Sequence, residues 1–310
     1  MQALWMVLGA LIFATMGVCV KIASAWFSSA ELVLYRGVIG VVFLWAFARS
    51  SGVSLATRYP GMHAWRSLVG VASMGAWFYA IAHMPLATAM TLNYMSSVWI
   101  AAFLVGGILL SWAPVPGRDG RAPRPPLQGP LVLAVLAGFA GVVLMLKPTV
   151  ADNEGFAGMV GLLSGLTAAF AYMQVVALSR AGEPETRTVF YFALGSVVAG
   201  GLATLAGGAT PWSVWTWRHA LWLLPVGVLA ALGQLCMTRA YARTTARGGT
   251  LLVANLQYSG IVFAAMYSVL LFGDSIDGAG WAGMALIVAS GITATVLRER
   301  SLPKAPGEEH

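Results

Sequence analysis

Apolar residues along this chain fall in runs of about twenty, separated by short stretches that collect its charged residues, prolines and many of its glycines. A run of about that length lets an α-helix cross a hydrocarbon core. Cutting at the polar stretches predicts ten spans. The first five lie near 3–24, 30–48, 64–83, 89–111 and 129–147, and the second five near 156–179, 188–207, 218–238, 249–272 and 279–297. The runs are too long for barrel strands and lack their two-residue alternation. The expected fold class is an all-α membrane protein with little chain left for any extramembrane domain. Its organisation is a first five-span unit (1–147), a connecting loop (148–155), a second five-span unit (156–297) and a cytoplasmic tail (298–310). The Pro- and Arg-rich stretch 113–129 has linker composition but falls inside the first unit, where it reads as a loop.

Charge orients these spans. With the N-terminus inside, fourteen of the 18 Lys and Arg residues lie at cytoplasmic ends, among them Arg49, Arg58, Arg66, Arg187 and Arg239. Lys21, Lys147 and Arg218 lie outside, and Arg36 stands within span two. Cytoplasmic loops retain positive residues, so both termini are expected in the cytoplasm of a bacterial-type inner membrane. The net charge of +7 then reflects topology and not a nucleic-acid surface. Only 9% of residues are charged, against about 25% in soluble domains, which excludes an ordinary soluble enzyme. Ala23-Ser24-Ala25 resembles a leader cleavage site, but no positive segment precedes the apolar run, so 3–24 is read as a span.

The two units resemble each other. At a shift near 155 residues, Leu8-Gly9-Ala10-Leu11 faces Leu163-Ser164-Gly165-Leu166 and Gly40 faces Gly195. Ala140-Gly141 faces Ser290-Gly291 at a shift near 150, and Leu92-Asn93-Tyr94 resembles Asn255-Leu256-Gln257-Tyr258 near 164. Five is odd, so the second unit must enter the membrane from the opposite side. That is an inverted repeat, the architecture that places a transporter's substrate site at the midplane between its halves.

The sequence resembles the EamA-domain branch of the drug/metabolite transporter superfamily. The likeness rests on Leu34-Tyr35-Arg36-Gly37, Phe78-Tyr79-Ala80, Pro85-Leu86-Ala87-Thr88-Ala89, Arg239-Ala240-Tyr241, Leu256-Gln257-Tyr258-Ser259-Gly260 and Leu271-Phe272-Gly273-Asp274. Two departures concern helix ends: Ser97 stands where the family often has Pro, and 242–247 lengthens the eighth-to-ninth connection. The resemblance implies a secondary carrier of an amino-acid-like or similar amphipathic metabolite, with export the commoner direction. It also admits import of a vitamin or nucleoside-like cofactor of the riboflavin or S-adenosylmethionine type.

An ionisable side chain at membrane depth costs about 2.5–3.5 kcal/mol on insertion scales. None of the 11 Asp and Glu residues falls mid-span, which favours exchange or facilitated flow over tight ion coupling; Glu31, near the outer end of span two, is the one candidate. Arg36 lies about 9 Å deep, either snorkelling to the headgroups or anchoring a substrate anion. Asn93, Ser96 and Ser97 share a helical face in span four, as do Asn255, Tyr258 and Ser259 in span nine. The substrate-binding residues expected are Arg36, Trp77, Tyr79, Asn93, Tyr94, Ser97, Tyr172, Gln174, Asn255 and Tyr258, with Gln234 and Gln257 as further candidates. The competing reading is that such groups only hydrogen-bond adjacent helices. Trp212, Trp215, Trp217 and Trp222 read as an interfacial belt.

Enzyme chemistry lacks its parts. An intramembrane hydrolase or acyltransferase needs a nucleophile and base, or a carboxylate/His pair, at depth, and the sequence has no G-x-S-x-G elbow or Walker loop. The G-x-G-x-x-G of residues 278–283 opens a membrane helix and not a βαβ unit. Cys19 and Cys236 form no C-x-x-C and the four His are scattered, so no cofactor or metal is expected. The expected partners are a small-molecule substrate and membrane lipid, without nucleic acid.

Overall fold

The computed structural model describes residues 2–96, 98–100, 102–103, 129–146, 152–242 and 256–301, and among these the chain is helix and turn without strand. The principal helices are α1 (Gln2–Ala23), α2 (Ser29–Ser50), α3 (Pro60–His83), α4 (Leu86–Tyr94), α5 (Gly129–Leu146), α6 (Asp152–Arg180), α7 (Glu185–Gly207), α8 (Leu223–Ala242), α9 (Ser259–Phe272) and α10 (Gly278–Ser301), with a 3₁₀ turn at Trp212–Val214 and a one-turn helix at Trp217–Ala220 ahead of α8. Among the described residues, six helices are long and apolar enough to cross a membrane, and two shorter apolar helices cover Val132–Leu144 and Ser259–Phe272. A multi-pass membrane protein follows.

Local chemistry sets several ends. Ser28 and Glu31 form a capping box at the start of α2, each side chain bonding the other's backbone N–H at 3.3 and 2.9 Å. Pro60 supplies the first turn of α3, where its missing N–H costs nothing. That start is four residues earlier than expected, so His63 belongs to the helix and Arg66 stands further inside it than the expected span placed it. Gly182, at φ +80°, reverses the chain between α6 and α7.

Span four departs further from expectation. Its helix begins at Leu86 and loses regularity after Tyr94, where the Met95 N–H is shared between Thr91 and Leu92 carbonyls at 3.2 Å. A similar tightening opens α9: the N–H groups of Gly260 and Ile261 donate three residues back, to Gln257 and Tyr258. Such 3₁₀ geometry inside a span marks a hinge or a strained site.

Helices of one half pack mainly on those of the other: α1 on α8, α2 on α7, α3 on α6, α4 on α9 and α5 on α10. Apolar helices in lipid gain contact chiefly where small residues let backbones approach. Gly37 of α2 meets the backbone of Ala193 and Val197, while Gly200 of α7 meets that of Leu34, so α2 and α7 run antiparallel. Tyr94 lies at Gly260 and the Ala87 N–H reaches the Ser268 hydroxyl at 3.5 Å, which makes α4 and α9 antiparallel too. In the third such pair, Ser290 of α10 donates to the Ala134 carbonyl at 2.6 Å while Ile287 sits at Gly141 of α5. The Gly161/Gly165 pair receives Leu92 of α4. The central core contains Phe78, Ile81, Leu86, Met90, Leu92 and Met95, all fully buried.

Candidate functional site

A cavity of about 90 Å³ lies between the two halves. Phe13 of α1 and Arg36 of α2 line it, with Arg66, Gly70, Ser73, Met74 and Trp77 from α3 and Asn93 and Tyr94 from the end of α4. The second half contributes Ala168, Ala171 and Tyr172 from α6, Phe192 from α7, Gln234 and Met237 from α8, and Gln257 from the turn before α9. The tightened ends of α4 and α9 therefore both border it.

Two guanidiniums dominate its electrostatics. Arg36 does not snorkel: it is 6% exposed and lies over the Phe192 ring at 5.1 Å. Arg66, also 6% exposed, lies over the same ring at 4.3 Å. The Nε of Arg36, the Nε and Nη1 of Arg66 and the Nε1 of Trp77 are buried without hydrogen-bond partners. Arg66 fits because Gly70, one turn on, has no side chain: a Cβ there would collide with Arg66 Nη1 and stand 2.9 Å from Phe192. The polar remainder is neutral. Asn93 donates to the Ser164 hydroxyl at 3.2 Å, Ser73 to the Ser164 carbonyl at 2.8 Å, and Gln257 to the Tyr172 hydroxyl at 3.4 Å.

Of the residues expected from sequence, Arg36, Trp77, Asn93, Tyr94 and Tyr172 come together here. Tyr258 is buried beside them, edge-on to Tyr94 at 6.4 Å, without lining the cavity. Tyr79 and Gln174 do not line it, and the reason is periodicity. Each stands two residues beyond a cavity-facing neighbour, Trp77 or Tyr172, and so points about 200° away around its helix. Tyr79 instead stacks on His83 at 4.0 Å and meets Phe156 edge-on. Ser97 and Asn255 lie outside the described residues. Sequence reasoning missed Arg66, assigned to a cytoplasmic end, and Phe192, one aromatic in an apolar run. Without Arg66 the cytoplasmic tally of basic residues falls by one.

Carboxylates tie down the chain at both ends of α2. At its start, Glu31 accepts from the Thr210 backbone at 2.8 Å and the Thr210 hydroxyl at 2.5 Å. This fastens the segment following α7, whose Trp215 packs edge-on against Phe27 and Tyr35. Trp215 is thus turned inward, whereas Trp212 and Trp217 are exposed as a belt requires. Beyond the other end of α2, Glu183 accepts from Thr57 at 3.0 Å and Arg187 at 3.0 Å and contacts His63 Nε2 at 3.2 Å. Burial pushes the Glu183 carboxyl upward, but the bonds from Arg187, His63 and Thr57 outweigh it and hold it below the ordinary carboxylate range. Arg187 also holds the Ser54 carbonyl at 2.8 and 3.0 Å. Lys21 of α1 donates to the Met84 carbonyl at 2.8 Å and approaches Asp274 at 3.8 Å.

Known proteins resemble the chain over nearly its whole length. Residues 1–107 match the model of the EamA-like transporter family. The pseudopaline exporter CntI of Pseudomonas aeruginosa UCBPP-PA14 is 33% identical over 92% of this chain and 92% of its own. A riboflavin transporter of Rhizobium johnstonii is 28% identical over 94% of this chain and 89% of its own. One solved crystal structure shares the fold with a TM-score of 0.63, at 19% identity over 96% of this chain and 98% of that one.

Proposed function

Because this chain belongs to the EamA-like transporter family, and is a membrane transporter and not an enzyme, we propose that it is a ten-span carrier made of two inverted five-helix repeats. It moves a small organic metabolite by alternating access through the cavity between them. Each repeat is one unit, 1–147 and 156–297, with both termini on the cytoplasmic side of the inner membrane.

The observation that carries this reading is where repeat-equivalent residues lie. Under inversion, the second, fourth and fifth helices of one half must cross their equivalents antiparallel, and equivalent residues meet only at those crossings. Tyr94 and Tyr258, matched by sequence, touch edge-to-face. A Cβ on Gly40 would stand 3.3 Å from that of Ala193, two residues from its match Gly195, and the Gly138–Gly141 turn of α5 meets Ser290 and Ile287. The remaining principal contacts, α1 with α8 and α3 with α6, exchange under the same operation.

The carboxylate ties obey it as well. Glu31 holds a threonine beyond α7, and Glu183 holds one beyond α2, each pair offset from the other by about 150 residues. These are equivalent latches on opposite faces, both made, around a small central cavity. Alternating access consists of opening one latch while the other holds.

Export is the favoured direction, supported by the name of the 33% identical relative. Counterflow in proteoliposomes tests the whole reading. A carrier gives saturable exchange that is trans-stimulated by internal substrate; linear, unsaturable flux defines a pore and refutes it.

A further inference from the structure

We infer that Arg36, Arg66 and Trp77 form an anion site selective for a small organic dianion; this rests on the carrier reading above and names its substrate class. Both guanidiniums are buried in one cavity and lean on one ring, Phe192. Among the described residues neither is paired with a carboxylate, whereas Lys21 approaches Asp274 and Arg187 pairs with Glu183.

A buried cation without a counter-ion is strongly unfavourable. The four buried atoms left without partners here, on Arg36, Arg66 and Trp77, are all donors. Donors that no described residue satisfies call for acceptors on the ligand. Guanidiniums pair with carboxylate or phosphate oxygens through two parallel hydrogen bonds, which suits them to planar oxyanions. Two cations in one cavity call for two negative charges. The aromatic and aliphatic lining, with Tyr94, Phe13 and Met74, suits an apolar body, and Asn93 and Gln234 flank it with neutral amides. Gly70 is a specificity element of the same site, because its missing side chain is the space that Arg66 occupies.

The test uses full-length purified protein and four probes: phthalate (an aromatic dianion), benzoate, benzylamine and inorganic phosphate. Binding is read as ligand-dependent thermal stabilisation. Phthalate is expected to stabilise the protein most, benzoate less and benzylamine not at all. Stabilisation by phosphate equal to that by phthalate would overturn the organic part of the assignment. Arg36→Gln and Arg66→Gln are each expected to weaken phthalate at least tenfold while raising the melting temperature of the unliganded protein, since an unpaired buried charge is removed. Wild-type phthalate affinity in both variants, or a lowered unliganded melting temperature in both, overturns the site, the latter by making the guanidiniums structural. Proteoliposome counterflow separates the two readings. Saturable exchange of riboflavin without phthalate binding leaves the carrier standing and removes the dianion. Phthalate binding with no counterflow for any solute supports the site and removes the carrier.

Discussion

Neutralising one latch should bias this carrier toward opening on one face. Glu183 accepts hydrogen bonds from Thr57 and Arg187 and faces His63, with its side chain 3% exposed. Glu183→Gln keeps an acceptor for Thr57 but places an amide NH₂ where Arg187 and His63 now meet a carboxylate oxygen. Arg187 stays anchored through its bonds to the Ser54 carbonyl, so the change falls on the latch and not on the fold. A hydrogen bond to a charged group contributes about 1.5–3 kcal/mol, and breaking a buried pair costs about 3–5 kcal/mol. If about 3 kcal/mol of this is lost only in states with that face closed, the opening equilibrium shifts by about 150-fold. The assay is modification of a cysteine at Ser73, a buried cavity position, by an impermeant maleimide, with Cys19 and Cys236 replaced by Ala. Glu183→Gln should accelerate labelling from the Glu183 face alone, and Glu31→Gln from the Glu31 face alone. Equal rates from both faces in either variant would refute the latch assignment.

Further outcomes follow from the same geometry. Gly70→Ala should weaken phthalate at least tenfold by displacing Arg66, while Gly75→Ala on the same helix, with nothing within 4 Å of its Cβ, stays silent in the same titration. Gly165→Ala drives a Cβ into the Leu92 carbonyl of α4. Overpacking of this kind costs about 1–3 kcal/mol, to be seen as a lower melting temperature that Gly155→Ala does not reproduce. Asn93→Ala should raise the KM for counterflow with expression unchanged, as a residue of the cavity wall; an unaltered KM would confine Asn93 to bonding Ser164. The Glu183 latch depends on pH with a definite sign. Its folded-state pKa is depressed, so its contribution is complete above the ordinary carboxylate range and is lost as pH falls through the lowered value. The ratio of labelling from the Glu183 face to labelling from the Glu31 face, which cancels the pH dependence of the thiol itself, should therefore rise as pH falls below the ordinary carboxylate range, and should be flat with pH in Glu183→Gln.

Much of the scaffold was legible because membrane helices announce themselves by length and composition. The S-x-x-E box at Ser28 and Glu31 marks the start of α2, and Arg36 stands out by depth alone. Arg66 reads as a cytoplasmic-end charge because a span starting near residue 64 puts it at the helix edge, where basic residues collect. The counter-signal was Pro60, which as a first-turn residue puts Arg66 nearly two turns inside the helix. Tyr79 and Gln174 were credited by residue type, although spacing from Trp77 and Tyr172 turns them the other way. The tightening at Met95 carries no Gly or Pro to signal it. Glu183 looked like an ordinary loop acid, since its partners Thr57 and His63 are more than a hundred residues distant and only the tertiary fold brings them together.

The central claim, two inverted halves rocking about one cavity, is tested most directly by paired spin-label distances on the two faces. One pair links Ser54 to Arg180 on the Glu183 face, and the other links Trp26 to Ala209 on the Glu31 face. Adding phthalate to protein in lipid nanodiscs should lengthen one distance while the other shortens or holds. Distances that widen together, or stay fixed while counterflow proceeds, would contradict it.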